Sequence, residues 1–171
     1  MKRMILLLAV LAWIAAPLPA QQGYADKVLR FEISGTVIAL GDPFSGDFSI
    51  LAAYKGNGNL GNITGQGFYT YLQIPMDTGA MICGPSQSAI RLDSNGDMLL
   101  LQVTPGVTGA LSFTGPGTFT WEQTWTGTVV GGTGRFAGAT GTFKKTLTGF
   151  GVVPGFVNPW EGTLEITLDR K

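Results

Sequence analysis

The chain predicts an all-β protein, either a sandwich or a closed antiparallel barrel, and three observations carry that expectation. Thr118–Val130 (TFTWEQTWTGTVV) alternates with a period of two: Phe119, Trp121, Trp125 and Val129 face one way, and Thr118, Thr120, Glu122, Thr124, Thr126 and Thr128 the other. Trp160–Leu168 (WEGTLEITL) does the same, and such alternation marks a half-buried strand. Glycine and proline clusters punctuate the chain at short intervals, and no segment beyond residue 20 keeps a 3.6-residue period. Many short strands with no helix to cover a sheet edge leave a sandwich or a barrel as the ways to bury them.

Seven further strands are expected, at Val28–Leu40, Phe44–Tyr54, Asn62–Ile74, Gly79–Cys83, Ser88–Leu92, Met98–Thr104 and Thr142–Phe150. Gly56-Asn57-Gly58, Gly84-Pro85, Gly106, Gly115-Pro116-Gly117 and Pro154-Gly155 separate them. Asp93–Asp97 (DSNGD) reads as a hairpin, with Asn95-Gly96 at the centre of a type I′ turn, where both residues need positive φ. Residues 1–20 are set apart from these strands. Lys2 and Arg3 precede an apolar run, Ile5–Ala16, that falls short of the ~20 residues a span needs. Pro17–Ala20 follows as a breaker with a small residue at its end. This is the pattern of a secretory signal peptide cleaved after Ala20. Residues 21–171 are then expected to form one secreted or periplasmic domain, with no membrane span after cleavage.

Composition narrows the chemistry. The 171 residues include 11 Lys plus Arg and 11 Asp plus Glu, and no basic cluster exceeds Lys144-Lys145, so the electrostatic footprint of a nucleic-acid binder is missing. Cys83 is the sole cysteine, which excludes an intrachain disulfide. There is no histidine, which removes Ser-His-Asp and Cys-His catalysis and zinc sites built on His. Asp93, Asn95 and Asp97 lack the later Glu of an EF-hand loop. No metal site and no cofactor are expected.

Gly131–Phe143 (GGTGRFAGATGTF) raises the question of a phosphate-cradling loop. Such a loop needs a helix after the glycine turn, its N-terminus aimed at the anion. Here only Arg135–Ala139 separates the glycines from the next strand. The expectation is therefore structural. Gly131, Gly132, Gly134, Gly138 and Gly141 provide positive φ or close backbone approach, and Phe136 folds back as an apolar plug.

VVGGTGRFAGATGTF resembles the strand–turn–strand signature of the allene oxide cyclase and dirigent barrels. It is closer to small secreted bacterial proteins with an allene-oxide-cyclase-like barrel. In these an early Leu-Gly, a central Asn-Gly-Asp hairpin, this glycine turn and a final aromatic-x-Gly-x-Leu strand follow in order. The counterparts are Leu60-Gly61, Asn95-Gly96-Asp97, Gly131–Gly141 and Trp160–Leu164. The resemblance implies a single antiparallel barrel of about eight strands, and a homotrimer as the assembly. It also implies a role for Glu32: in plant allene oxide cyclase a strand-borne Glu, followed two residues later by Asn, works inside the barrel on an oxylipin epoxide. Phe31–Ser34 (FEIS) matches the Glu and carries Ser34 in place of the Asn. A carboxylate in an apolar barrel has a raised pKa and serves as acid or base. The alternative is an outer position, because Arg30, Glu32, Ser34 and Thr36 also read as an ordinary polar face.

Glu122 is a second carboxylate on a strand, and Cys83 reads as a small buried hydrophobe. Tyr69, Tyr71, Phe119, Trp121 and Trp125 are candidates to line a cavity, since inward aromatics of a barrel do so. The functional expectation is a barrel that binds a small apolar molecule without catalysis, or a structural module. The alternative is a cyclase-, isomerase- or dirigent-like enzyme that steers a reactive intermediate, chemistry that needs shape and one or two polar groups.

Overall fold

The computed structural model describes residues 27–41, 48–75, 77–152 and 157–169, residue 73 by its backbone alone. The signal segment expected at residues 1–20 and the first residues of the strand expected at Phe44–Tyr54 lie outside the described residues. Among the described residues, ten strands form one antiparallel sheet: β1 (Lys27–Leu40), β2 (Phe48–Gly58), β3 (Gly61–Gln73), β4 (Ala80–Cys83), β5 (Ser86–Leu92), β6 (Met98–Val103), β7 (Gly106–Gly115), β8 (Thr118–Gly132), β9 (Gly141–Val152) and β10 (Val157–Leu168). No helix among them is long and apolar enough to cross a membrane.

The pairings close on themselves. Proceeding β1, β2, β3, β5, β6, β8, β9, β10 and back to β1, each strand is hydrogen-bonded to the next, a ring of 8 strands. The closing ladder is β1 on β10, in unbroken register from Lys27↔Leu168 to Ile38↔Val157. The sheet is thus a barrel, which removes the free edges that a sandwich would leave.

Strands β4 and β7 fit the same ring as the far halves of two kinked staves. Strand β3 pairs with β5 through Ile63–Phe68 and with β4 beyond Tyr71. Strand β8 pairs with β7 through its first half and with β6 through Gly127–Gly132. The breaks are Gly84-Pro85 and Thr104-Pro105, and they face each other between the Cys83↔Gly106 and Ser86↔Val103 pairs. Proline has no N–H for a ladder, so the two staves bend at one level. Strand β7 is the element the sequence reading lacks. Its residues GVTGALSFTG follow no strict alternation, and its ladders to β4 and β8 both shift register.

The inward positions fill the barrel. At one end Leu29, Ile63, Leu92, Leu99, Ile166 and Leu168 form a dry aliphatic layer. The Gly131–Gly141 turn closes this end. Thr133 precedes a single 3-10 turn, Gly134–Phe136, and Phe136 is 1% exposed among these side chains. Gly134 (φ 55°) and Gly138 (φ 66°) take left-handed conformations, as a turn without a helix requires. A Cβ on Gly134 would also collide with the Asp97 carboxylate. Arg135 Nε lies 3.3 Å from Asp97 Oδ2, and Thr133 Oγ1 accepts from the Met98 N–H at 3.0 Å. The turn is architecture, and it is bolted to the β5–β6 hairpin.

That hairpin differs from the type I′ expectation. The Leu92 N–H donates to the Asp97 carbonyl, and the Gly96 N–H to the Leu92 carbonyl. Residues 93–96 therefore form a four-residue loop, with Gly96 (φ 78°) as its left-handed last member. The Asn95 side chain accepts from the Asp97 N–H and donates to the Asp97 carboxylate, a local bond that competes with the two-residue turn.

Candidate functional site

Polar side chains gather in the middle of the barrel. On β9 the period of two places Phe143, Lys145 and Leu147 inward. Lys145 is 2% exposed. Its Nζ donates to Tyr69 Oη on β3 and lies 4.7 Å from the Tyr69 ring centre, 4.9 Å from that of Tyr54 on β2, and 5.8 Å from that of Trp160 on β10. Three strands thus wall the amine with aromatic faces. No ion pair to a carboxylate is found for it among the described residues.

The electrostatics follow from that isolation. Burial disfavours a charged ammonium, and it pulls Lys145 below its ordinary 10.5, with a smaller opposing contribution from Tyr54 once that phenol ionises. Burial pushes the phenols of Tyr54 and Tyr69 up to about 12 and holds Tyr71 well above 10. The phenols stay neutral at neutral pH and offer the amine no counter-charge. Cation–π attraction to the three rings favours the ammonium by roughly 0.5–2 kcal/mol per good contact and limits the shift.

Two short networks flank the amine. Tyr54 Oη and Ser88 Oγ are 3.0 Å apart, and Ser88 Oγ donates to the Gln66 carbonyl. On the far side Gln123 bonds Tyr71 Oη and donates to Thr108 Oγ1, which donates to the Met81 carbonyl. Against these satisfied groups, the indole N–H of Trp125 and that of Trp160 are buried without an acceptor. Most buried donors are paired, so two orphans in one barrel are notable. Trp125 packs on Tyr69, ring centres 4.5 Å apart, and Trp160 on Tyr54 at 5.5 Å. Both orphans therefore belong to rings that pack on the cage tyrosines.

The aromatic candidates are brought together. Tyr69, Tyr71, Trp121 and Trp125 all point inward and are buried, while Phe119 is half-buried and packs against the core. Glu32 is not with them. It stands exposed on the outer face of β1, between inward Phe31 and Ile33 and opposite Thr163 of β10. The interior carboxylate implied by the resemblance is therefore not found: the parity of β1 sends Arg30, Glu32, Ser34 and Thr36 to solvent together. Glu122 is exposed as well. Cys83 is buried, donates to backbone carbonyls, and has its thiol pKa raised by burial, contrary to an activated nucleophile. Among the described residues no group of three or more His, Cys, Asp or Glu could hold a metal.

Lys145 is the residue that sequence reasoning missed. The signal was present in TFKKTLTGF, where Lys145 shares parity with Phe143 and Leu147. Lys144-Lys145 reads only as a basic cluster that no other exceeds; in the barrel the two lysines are on opposite faces.

Two outer grooves approach this centre. One, of about 660 Å³, crosses β1, β10, β9, β8 and β7. Ser34, Glu161, Thr148 and Glu122 form one row across its strands. In the neighbouring row Gly35, Trp160, Gly149 and Trp121 stand side by side, and both tryptophans line the groove. The other groove, of about 750 Å³, is more apolar, with Ile38, Leu51, Phe68, Leu100 and Val130 in its lining. Comparison with protein-family models, with curated proteins and with solved structures returns no match to this chain.

Proposed function

We propose that this protein is a small-ligand barrel. It takes a mainly apolar molecule that carries one oxygen acceptor, holds it over Trp121 and Trp160, and directs the oxygen toward the donors of the barrel centre. One observation carries the reading: Trp125 and Trp160 keep buried indole N–H groups without acceptors beside a caged amine. An unpaired buried donor costs roughly 1–3 kcal/mol, which an incoming carbonyl or carboxylate oxygen would recover. The groove of about 660 Å³ is within the range of ligand clefts, ~300–1,000 Å³. The secreted or periplasmic location expected from residues 1–20 is part of this reading. So is the homotrimer implied by the resemblance to allene-oxide-cyclase-like barrels, for which the exposed Ile38, Leu51, Phe68, Leu100 and Val130 supply an apolar outer face.

A second reading, a cyclase- or isomerase-like enzyme, is favoured by Lys145. An amine whose pKa is lowered by burial is a candidate for acid–base work, and it occupies the interior position that Glu32 does not.

Native mass spectrometry of the mature protein from its own host's secreted fraction tests the proposal. The expected result is a reproducible extra mass of a few hundred daltons, lost on denaturation, with the same spectrum reporting the number of subunits. A clean apo mass that stays clean after exposure to a lipid extract would overturn it and leave a structural module.

A further inference from the structure

The caged amine can do more than donate a hydrogen bond. We propose that Lys145 is a nucleophile that captures a small aldehyde from the groove beside Trp160 as an imine. This rests on the ligand-barrel reading for the approach, and adds to it the chemical class of the molecule and a covalent bond.

The geometry supports each part. Trp160 is at once a wall of the Lys145 cage and part of the lining of the groove of about 660 Å³. One indole ring therefore separates the two. Across the strands this indole is flanked by Gly35 and Gly149 and packs on the Tyr54 ring at 5.5 Å, so a swing of this one ring away from Tyr54 is the movement that would link groove to cage. Inside, the amine has aromatic walls and no carboxylate partner to hold it as a salt-bridged ammonium. Its burial lowers the cost of the neutral, nucleophilic form.

The chemistry balances without a co-reactant. The Nζ lone pair forms a bond to the carbonyl carbon, and the C=O π pair moves to oxygen. A proton passes from nitrogen to that oxygen to give the carbinolamine. Tyr69 Oη, hydrogen-bonded to Nζ, is placed to relay it. The second N–H proton passes to the hydroxyl by the same relay as the nitrogen lone pair expels it as water, leaving the neutral C=N. One water is released, and nothing is oxidised or reduced. The orphan indole N–H groups of Trp125 and Trp160 are donors available to the oxygen while it carries charge.

The test uses the mature chain, limiting hexanal and sodium cyanoborohydride near pH 7, followed by peptide mapping. With the aldehyde limiting, the lysines compete for it and the map reports their relative rates. The expected result is one reduced hexyl adduct on Lys145, formed at least ten times faster than on its exposed neighbour Lys144. Trp160→Phe, which shrinks the separating ring, should accelerate labelling of Lys145 and leave Lys144 unchanged. Adducts confined to Lys144, the other exposed lysines and the α-amine would overturn the proposal. The wild-type map decides this whether or not any variant folds. A resident ligand seen by native mass spectrometry together with no adduct on Lys145 would sink the imine and leave the binding proposal standing. Labelling of Lys145 in a protein that carries no resident ligand would support the imine and sink the resident-ligand reading.

Discussion

A lysine in the middle of a barrel is a destabilising choice, and that is the sharpest clue at residue scale. Lys145 takes a site whose parity neighbours, Phe143 and Leu147, are apolar. A buried amine carries a desolvation penalty that a methionine of similar length would not. Lys145→Met should therefore raise stability at pH 7 by about 1–2 kcal/mol, or roughly 2–8 °C in Tm for a chain of this size. Tyr69 would lose that donor and keep its packing on Trp125. The pH dependence has a definite sign. The Lys145 pKa is lower in the fold than its ordinary 10.5, so between the two values the unfolded chain binds more protons and stability rises with pH. The penalty is complete below the folded value and absent above 10.5. Tyr54 and Tyr69 act oppositely: their contribution is complete below 10 and is lost as pH climbs toward 12. Urea midpoints from pH 7 to 9.5 should show the variant ahead of the parent, by a margin that shrinks as pH rises. A variant less stable than the parent at pH 7 would show that the amine is a net strut, held by its three rings.

At the scale of the strand, a recurring device that fills this barrel is a glycine beneath a large ring. Gly65 lies under the Tyr54 ring, Gly67 under Tyr69, Gly149 under Trp121 and Gly151 under Phe119, so close that a Cβ on any of them would collide with ring atoms. Alternating large and small inward residues is how a small barrel accommodates its own side chains. Gly149→Ala should then cost about 1–3 kcal/mol by overpacking, read as a lower urea midpoint at constant slope, and Trp121→Phe in the same chain should recover most of the loss. No recovery would place the strain in the β9 backbone instead. The same elements show what was legible beforehand. Strands β8 and β10 were plain from alternation, and the glycine turn from its lack of a helix. Strand β7 was hidden because Gly106 and Gly115-Pro116-Gly117 read as punctuation, and because a register shift on each side breaks its alternation. Glu32 illustrates a different limit. A motif of four residues suggested the interior, whereas the polar parity of Arg30, Ser34 and Thr36 pointed outward and proved the better guide. Lys145 was readable by that same parity rule, applied to a charged residue.

For the molecule as a whole, closure is the property from which the rest follows. The ladder that shuts the ring joins the first described strand to the last, Lys27 opposite Leu168, so the longest loop in the chain must close before the barrel has no edge. A circular permutant that links these ends with a short Gly-Ser segment turns that pairing into a local hairpin. Opened at Pro116-Gly117, between β7 and β8, it loses little, since this turn contributes one side-chain bond, between Thr114 and Thr118. Opened at Asn59-Leu60, it disturbs a residue that donates to the Val28 carbonyl, accepts from the Arg30 N–H and sends its own N–H to the Arg30 carbonyl. At about 1 kcal/mol per bond, the second permutant should be less stable than the first by roughly 1–3 kcal/mol. Stopped-flow refolding with tryptophan fluorescence should find the Pro116-Gly117 permutant faster than the parent, because the slow long-range closure has become short-range. Equal rates would mean that closure follows the transition state, and that nucleation lies in the β8–β9–β10 meander, whose connections are the same in both chains.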